Sequence, residues 1–274
     1  GGMGDPFGYA GKRVVLTGGA TGVGAALLDL LAELGAPEVT VLDVKAPSGP
    51  HARFLEVDLA DEGAVTGAIA AIDGPVDVLF NNAGIAATQS PRKVLAVNYL
   101  ALRRLSEGLL ERIPAGGAIV NTASIAGVGW PEHLAAIQEL LAIPGWDAAL
   151  DWVDANLEAN GGDQYAFSKE VVRVWGMTHA RTTMARGVRT NSVCPAPIDT
   201  PLLADFKATI GEQVIEWTVG QSTGAYVTPR EVAMPLAFLG SAAAAYVNGH
   251  DLILDGGFNA AMAMGQIDFT GLFG

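Results

Sequence analysis

Arg13-Val14-Val15-Leu16-Thr17-Gly18-Gly19-Ala20-Thr21-Gly22-Val23-Gly24-Ala25-Ala26-Leu27-Leu28-Asp29-Leu30-Leu31 joins an apolar β-branched run, a glycine turn and an Ala/Leu-rich run without a break. A short apolar run bounded by turn residues reads as a strand buried on both faces, and the stretch after Gly24 reads as a helix. Glycines let the chain turn tightly and let its backbone approach a pyrophosphate. The N–H groups and positive end of the next helix would meet that charge. Gly18, Thr21, Gly22, Val23 and Gly24 are therefore candidate dinucleotide contacts. Their spacing is Gly-x-x-x-Gly-x-Gly, which departs from the commoner Gly-x-Gly-x-x-Gly fingerprint.

Outward from this turn the same alternation recurs. Strands are expected near 13–18, 38–43, 52–57, 77–82, 117–122, 189–194 and 251–254, and helices near 23–35, 61–72, 91–112, 164–186 and 229–240. Repeated βαβ units predict an α/β fold: a single-domain, Rossmann-type doubly wound parallel sheet of about seven strands spanning 1–274. One stretch breaks the rhythm. Residues 129–162 hold Trp130, Trp146, Trp152, Pro131 and Pro144, which suggests two short helices inserted before the next helix. Such an insert is either functional or a surface embellishment packed on itself.

Asp43 ends the second strand about 20 residues after the turn, where a carboxylate can accept from ribose hydroxyls and would repel a 2′-phosphate. No Arg or Lys lies in the turn, and the nearest basic candidate to meet a 2′-phosphate, Lys45, follows the acid. NAD is expected over NADP, unless Asp43 is only a solvated strand end. Tyr165 and Lys169 are four apart in a helical stretch and share a face. An ammonium near a phenol favours phenolate and draws it toward a useful acid/base range. Ser124 ends the fifth strand, at the edge where open α/β sheets bind ligands, and its hydroxyl can donate to a carbonyl. Asn98 is read as the anchor of a proton-relaying water; the plainer alternative is an exposed helical Asn.

These pieces together resemble the short-chain dehydrogenase/reductase family. The residues that carry the resemblance are Thr17 to Gly24, Asp58-Leu59, Asn81-Asn82-Ala83-Gly84, Asn98, Ser124, Tyr165-Ala166-Phe167-Ser168-Lys169 and Asp255-Gly256-Gly257. The resemblance implies that Asp58 and Leu59 border an adenine, that Asn82, Ala83 and Gly84 line the cofactor cleft, and that Ser124, Tyr165, Lys169 and Asn98 form the catalytic group. It also places Pro195, Ile198 and Thr200 near the nicotinamide end. Cys194-Pro195-Ala196-Pro197 stands where the family usually shows Pro-Gly, so Pro197 stiffens that turn. Within the family, the insert and Asp199-Thr200-Pro201-Leu202-Leu203 look most like bacterial 3α-hydroxysteroid dehydrogenase/carbonyl reductases.

The implied activity is hydride transfer between NAD(H) and a secondary alcohol or ketone. A substrate-loop region at 197–225 offers Leu202, Leu203, Phe206, Ile215, Trp217 and Val219, and Trp146 or Trp152 from the insert would add to it. Both fit a hydrophobic cyclic or steroid-like substrate, or else a helix burying its own apolar face. A 3-oxoacyl-carrier-protein reductase and a non-catalytic NAD sensor are the alternatives.

Half of the 274 residues are apolar, 16% are charged and the net charge is −13. That composition describes a globular chain and argues against nucleic acid or anionic membranes as partners, whose phosphates need Lys and Arg. The single cysteine, Cys194, excludes an intramolecular disulfide and suits a cytoplasmic location. No metal is expected. The resemblance also implies a homodimer or homotetramer, because the helical stretches 91–112 and 164–186 are similar to those that pair subunits in the family. The apolar tail 258–274, with Met262, Met264, Ile267, Phe269, Leu272 and Phe273, is expected to cover a neighbouring subunit or the cleft.

Overall fold

The computed structural model describes residues 4–35 and 37–273, without the side chain of Phe273. Of the tail expected to be packed, that side chain and Gly274 therefore lie outside the described residues.

Seven parallel strands form one sheet in the order β3-β2-β1-β4-β5-β6-β7. They are β1 (Arg13–Thr17), β2 (Glu38–Asp43), β3 (Arg53–Glu56), β4 (Val78–Asn81), β5 (Ala118–Thr122), β6 (Arg189–Pro195) and β7 (Asp251–Leu254). Successive strand residues point to opposite faces, and each face has its own core. Val15, Leu79 and Ile119 enter one, with Leu105, Val171 and Val172. Leu16, Phe80 and Val120 enter the other, with Leu27, Leu31 and Leu236. Burial on both sides explains why these strands read as continuous apolar runs. The strand order reverses between β1 and β4, so their carboxyl ends open a crevice.

The helix α1 (Gly22–Glu33) packs on α10 (Pro229–Gly240) on one face, while α2 (Glu62–Ala71), α4 (Ala101–Leu109) and α7 (Gln164–Met184) cover the other. Asp163 caps α7 by accepting from Ala166 N at 3.0 Å, and this fixes where the Tyr165 helix starts.

The helix expected over 91–112 is interrupted. α3 (Pro91–Leu95) passes through a π turn, Ala96–Leu100, into α4 and then a 3₁₀ turn, Leu110–Arg112. The widened turn holds Asn98, whose side chain bonds outside the helix. The insert is two helices, α5 (Leu134–Leu141) and α6 (Trp146–Ala155), preceded by a 3₁₀ run, Ile125–His133. It lies on the outer side of α3 and α7. Trp146 is buried in the core, Trp152 stacks on Phe167 at 6.2 Å, and Arg92 pairs with Asp151 and Asp154. Neither tryptophan reaches the cleft, contrary to expectation, because both are consumed in fixing the insert to the body.

After β6 the chain forms α8 (Leu203–Phe206), a π turn Lys207–Gly211 and α9 (Glu212–Gly220). α11 (Phe258–Ala263) and α12 (Thr270–Phe273) complete the tail. α12 packs on α9, and Trp217 meets Phe258 at 5.8 Å and Phe269 at 5.4 Å, so the tail braces the outer side of the loop region within its own chain.

Candidate active site

A cleft of about 570 Å³ opens along the carboxyl ends of β1, β2, β4, β5 and β6. At its β1 side, Thr21 precedes α1 but makes no side-chain cap, and the first turn of α1 carries no acid. The N–H groups of that turn therefore face the cleft without an internal anion, as a bound pyrophosphate requires. Gly24 is dictated by close approach: a Cβ there would lie 1.8 Å from Gly18 O. Gly18 sits at φ +75, a region that suits glycine, and a Cβ on it would press on Ala83 at 2.9 Å. The methyl of Thr200 arches back over the turn, 3.3 Å from where a Gly22 Cβ would stand.

Asp43 ties the turn to β2. Its Oδ2 accepts from Ala20 N at 3.0 Å and its Oδ1 from Val44 N at 2.7 Å. A carboxylate offers about four acceptor positions, so capacity for a hydroxyl remains. Asp58 accepts from Ala60 N at 2.9 Å, and Leu59 backs the cleft beside it. Thr17 Oγ1 accepts from Asn82 N and Ala83 N, both at 3.0 Å. Asn82 in turn accepts from Thr122 Oγ1 at 2.9 Å and donates to Gly18 O at 3.3 Å. These bonds lock the ends of β1, β4 and β5 to one another.

At the inner end, Ser124, Tyr165 and Lys169 come together. Tyr165 is 8% exposed and Lys169 4%. Burial pushes the Tyr165 phenol up to about 12, against a hydrogen bond with Ser124 that pulls it down, while Asp163 adds to the rise. Burial also brings the Lys169 ammonium down to about 8, opposed by Cys194. Lys169 Nζ donates to Thr122 O at 3.1 Å and lies 5.8 Å from the Tyr165 ring centroid. The Tyr165 phenol thus lies above its ordinary value and not below it, as its spacing from Lys169 suggested: burial dominates, and the amine is committed to a carbonyl.

Asn98 does not line the cleft. Its Nδ2 donates to Ile85 O and to Ser168 Oγ, both at 3.0 Å, and its Oδ1 accepts from Ile85 N at 2.9 Å. Both amide hydrogens are spent in clamping the loop after β4 to α7, which leaves one acceptor position on Oδ1 for a water. Gly84 sits between: a Cβ there would stand 3.4 Å from Lys169 Nζ and 3.5 Å from Asn98 Oδ1.

Residues 12–136 match the short chain dehydrogenase family, and residues 148–259 match the family described as enoyl-(acyl carrier protein) reductase. Coniferyl-alcohol dehydrogenase of Pseudomonas sp. (strain HR199 / DSM 7063) is 33% identical over 248 residues, covering 90% of this chain and 96% of that one. This chain belongs to the short-chain dehydrogenase/reductase family. Cis-4-hydroxycyclohexanecarboxylate dehydrogenase of Sinomonas cyclohexanicum is 32% identical, covering 94% of this chain and 100% of its own length. The 3-alpha-hydroxysteroid dehydrogenase from Pseudomonas sp. B-0831, solved complexed with NADH, superposes with a TM-score of 0.79 at 32% identity over 92% of this chain and 99% of that one. Other solved relatives hold NADP. The chain is therefore an oxidoreductase of a kind that acts on alcohols.

In this short-chain dehydrogenase every residue expected at the cofactor site lines the cleft except Gly24, which acts through backbone approach. Pro195, Ile198 and Thr200 do so along one wall, where Ile198 pairs with Val227 and pins the loop after β6. Leu202, Leu203, Phe206 and Ile215 line the cleft as expected, whereas Trp217 and Val219 do not. Trp217 is turned to the tail. Lys93, Val97, Ile210, Val214 and Thr218 were not foreseen as lining residues, whereas Phe258 begins the tail for which a place over the cleft was one expectation. Their signal was available: Lys93 and Val97 are four apart, as are Ile210, Val214 and Thr218, the spacing of one helix face.

Proposed function

We propose that this short-chain dehydrogenase transfers hydride between NAD(H) and a secondary alcohol or ketone whose carbon frame is hydrophobic and cyclic or steroid-like. The observation that carries the reading is the meeting of Ser124, Tyr165 and Lys169 at the buried end of one cleft whose other end carries Asp43 beside an uncapped helix start.

The residues fit a dinucleotide. The first turn of α1 would hold the pyrophosphate, Asp43 the adenosine ribose, and Asp58 and Leu59 the adenine. Asn82, Ala83 and Gly84 would line its path, and Pro195, Ile198 and Thr200 the carboxamide end. When bound, the dinucleotide supplies the hydride chemistry at its pyridine ring. Ser124 and Tyr165 hydrogen-bond the substrate oxygen. Tyr165 takes the hydroxyl proton during oxidation and returns it during reduction. Lys169, near 8, stays largely protonated at neutral pH, and its charge favours the phenolate against the cost that burial places on it. Asn98 is a positioning residue that holds the loop after β4 against α7 and offers Oδ1 to a relay water.

Asp43 supports NAD, because a 2′-phosphate placed against its carboxylate would be repelled, and the NADH bound in the hydroxysteroid dehydrogenase agrees with that choice. The net charge of −13 speaks against a reductase that must dock an acidic acyl carrier. A sensor without chemistry would have no use for Tyr165, Lys169 and Ser124 together. We place the enzyme in the cytoplasm as a homodimer or homotetramer and read 1–274 as one catalytic domain; the buried, unpaired Cys194 suits a reducing compartment.

The test is initial rates of oxidation of cyclohexanol, a terpenoid alcohol and a 3α-hydroxysteroid with NAD and NADP, and of reduction of the corresponding ketones with NADH and NADPH. Turnover that favours NAD supports the reading. Equal use of NADP would overturn the cofactor assignment, and no turnover of any member would overturn the substrate assignment.

A further inference from the structure

The tyrosine does not open onto water. The Phe206 ring lies over it, with centroids 4.8 Å apart and planes tilted by 49°. Phe206 closes the one-turn helix α8 and leads into the π turn that carries it to α9. It is only half-buried and lines the cleft, so part of the ring touches Tyr165 and part is offered to whatever enters.

The wall around it is apolar: Leu203, Ile210, Val214, Ile215 and Phe258. Thr218 is the polar lining residue of α9, and its hydroxyl already donates to Val214 O at 2.8 Å. The charged groups nearby answer one another outside the cleft, with Lys207 Nζ 3.4 Å from Glu216 and 3.8 Å from Glu212. Among the described residues, none of the charged side chains of the segment from α8 to α9 lines the cleft.

We propose that Phe206 is a specificity-determining residue that contacts substrate: its ring is the platform on which an uncharged flat ring, aryl or conjugated, stacks beside the carbinol carbon, and it is also the roof that keeps water from the Tyr165 hydroxyl. The proposal rests on the function assigned above and narrows its substrate class. An apolar wall alone accepts any hydrocarbon ring. A phenyl face adds offset or tilted stacking that a saturated ring, with hydrogens standing off its plane, does not reproduce. A carboxylate or a polyol laid against this segment would find no free polar partner on it and would lose hydration there.

The roof acts on the phenol through hydration. Tyr165 is faced by Ser124 from the end of β5, by Lys169 from its own helix, by Asp163 from the helix cap and by Phe206 from α8. Among these Phe206 is the one that bears no charge or hydrogen-bonding group. Removing it admits water, which favours the phenolate and moves the acid limb of alcohol oxidation to lower pH.

The experiment compares acetophenone with cyclohexyl methyl ketone, which share a carbon frame and a carbonyl, in the unaltered enzyme, Phe206→Ala and Phe206→Leu. Taking the ratio of the two kcat/KM values within each protein and comparing it between proteins cancels the intrinsic difference between the ketones. Both variants should lose about tenfold of the preference for acetophenone, the size of one aromatic pair. Phe206→Ala should also move the acid limb of phenylethanol oxidation down in pH, while Phe206→Leu, still an apolar roof, leaves it in place. NADH binding, followed by fluorescence, should be the same in all three. An unchanged ratio in Phe206→Ala overturns the platform, and an unmoved limb overturns the roof. If the unaltered protein turns over neither ketone nor any of the cyclic and steroid alcohols named above, the assigned function itself has failed; if it turns those over but not acetophenone, or reduces both ketones and the ratio holds, this proposal alone has failed.

Discussion

Replacing Lys169 with Met should stabilise the dinucleotide-free protein while removing most of its activity. The side chain is 4% exposed, and burial holds its ammonium near 8 where an open lysine titrates at 10.5. At 1.36 kcal/mol for each tenfold in proton affinity, that difference amounts to about 3 kcal/mol of unfavourable charge burial at pH 7. Met has similar length and no charge, but it forfeits the bond to Thr122 O, a loss of about 1 kcal/mol. The net gain is about 2 kcal/mol, or a Tm rise of roughly 4–8 °C. The sign of its pH dependence follows. Between about 8 and 10.5 the unfolded chain holds the lysine proton more tightly than the folded one, so the parent gains stability as pH rises through this window. The Met variant has no such slope, and its advantage should shrink toward pH 10.5. Calorimetric melts of both proteins at several pH values decide it. A variant less stable at pH 7, or a gap that does not change with pH, would refute the reasoning and mean that Lys169 is not destabilised by burial.

Gly24→Ala should weaken NADH binding by at least ~100-fold, because a methyl set 1.8 Å from Gly18 O forces the turn apart; fluorescence titration reads it directly. Asp43→Ser should raise the NADP-to-NAD ratio of kcat/KM by about tenfold by removing like-charge repulsion, at about 1 kcal/mol of stability from the lost acceptors of Ala20 N and Val44 N. Trp152→Ala should lower stability by about 2–3 kcal/mol through loss of its stack on Phe167, yet leave KM for the ketone within about twofold, since Trp152 lies outside the cleft.

Legibility followed burial. β2 and β7 fall on the residues expected, and the other strands agree within about a residue at either end, because strands covered on both faces need unbroken apolar runs and end at turn residues. The glycine turn was readable for a different reason: Gly18 and Gly24 occupy places where another residue clashes, so composition and geometry coincide. The π turn around Asn98 was hidden, since its cause is a side chain bonding Ile85 and Ser168, residues distant in sequence. Trp146 and Trp152 misled for a related reason. Their size signals burial, but nothing local says whether the buried place is a cleft or a helix interface. The protonation of Tyr165 was misjudged because spacing shows that Lys169 is near, not that both groups are dry.

Tyr165→Phe is the most direct test of the central claim, that this phenol moves the proton between substrate oxygen and enzyme. The change removes one oxygen atom and keeps the ring against Phe206. Turnover of the best ketone should fall by about 10³-fold or more, while the NADH dissociation constant stays within about twofold. A phenylalanine variant that keeps a tenth or more of the parent kcat, roughly 1.4 kcal/mol of barrier or less, would contradict the account.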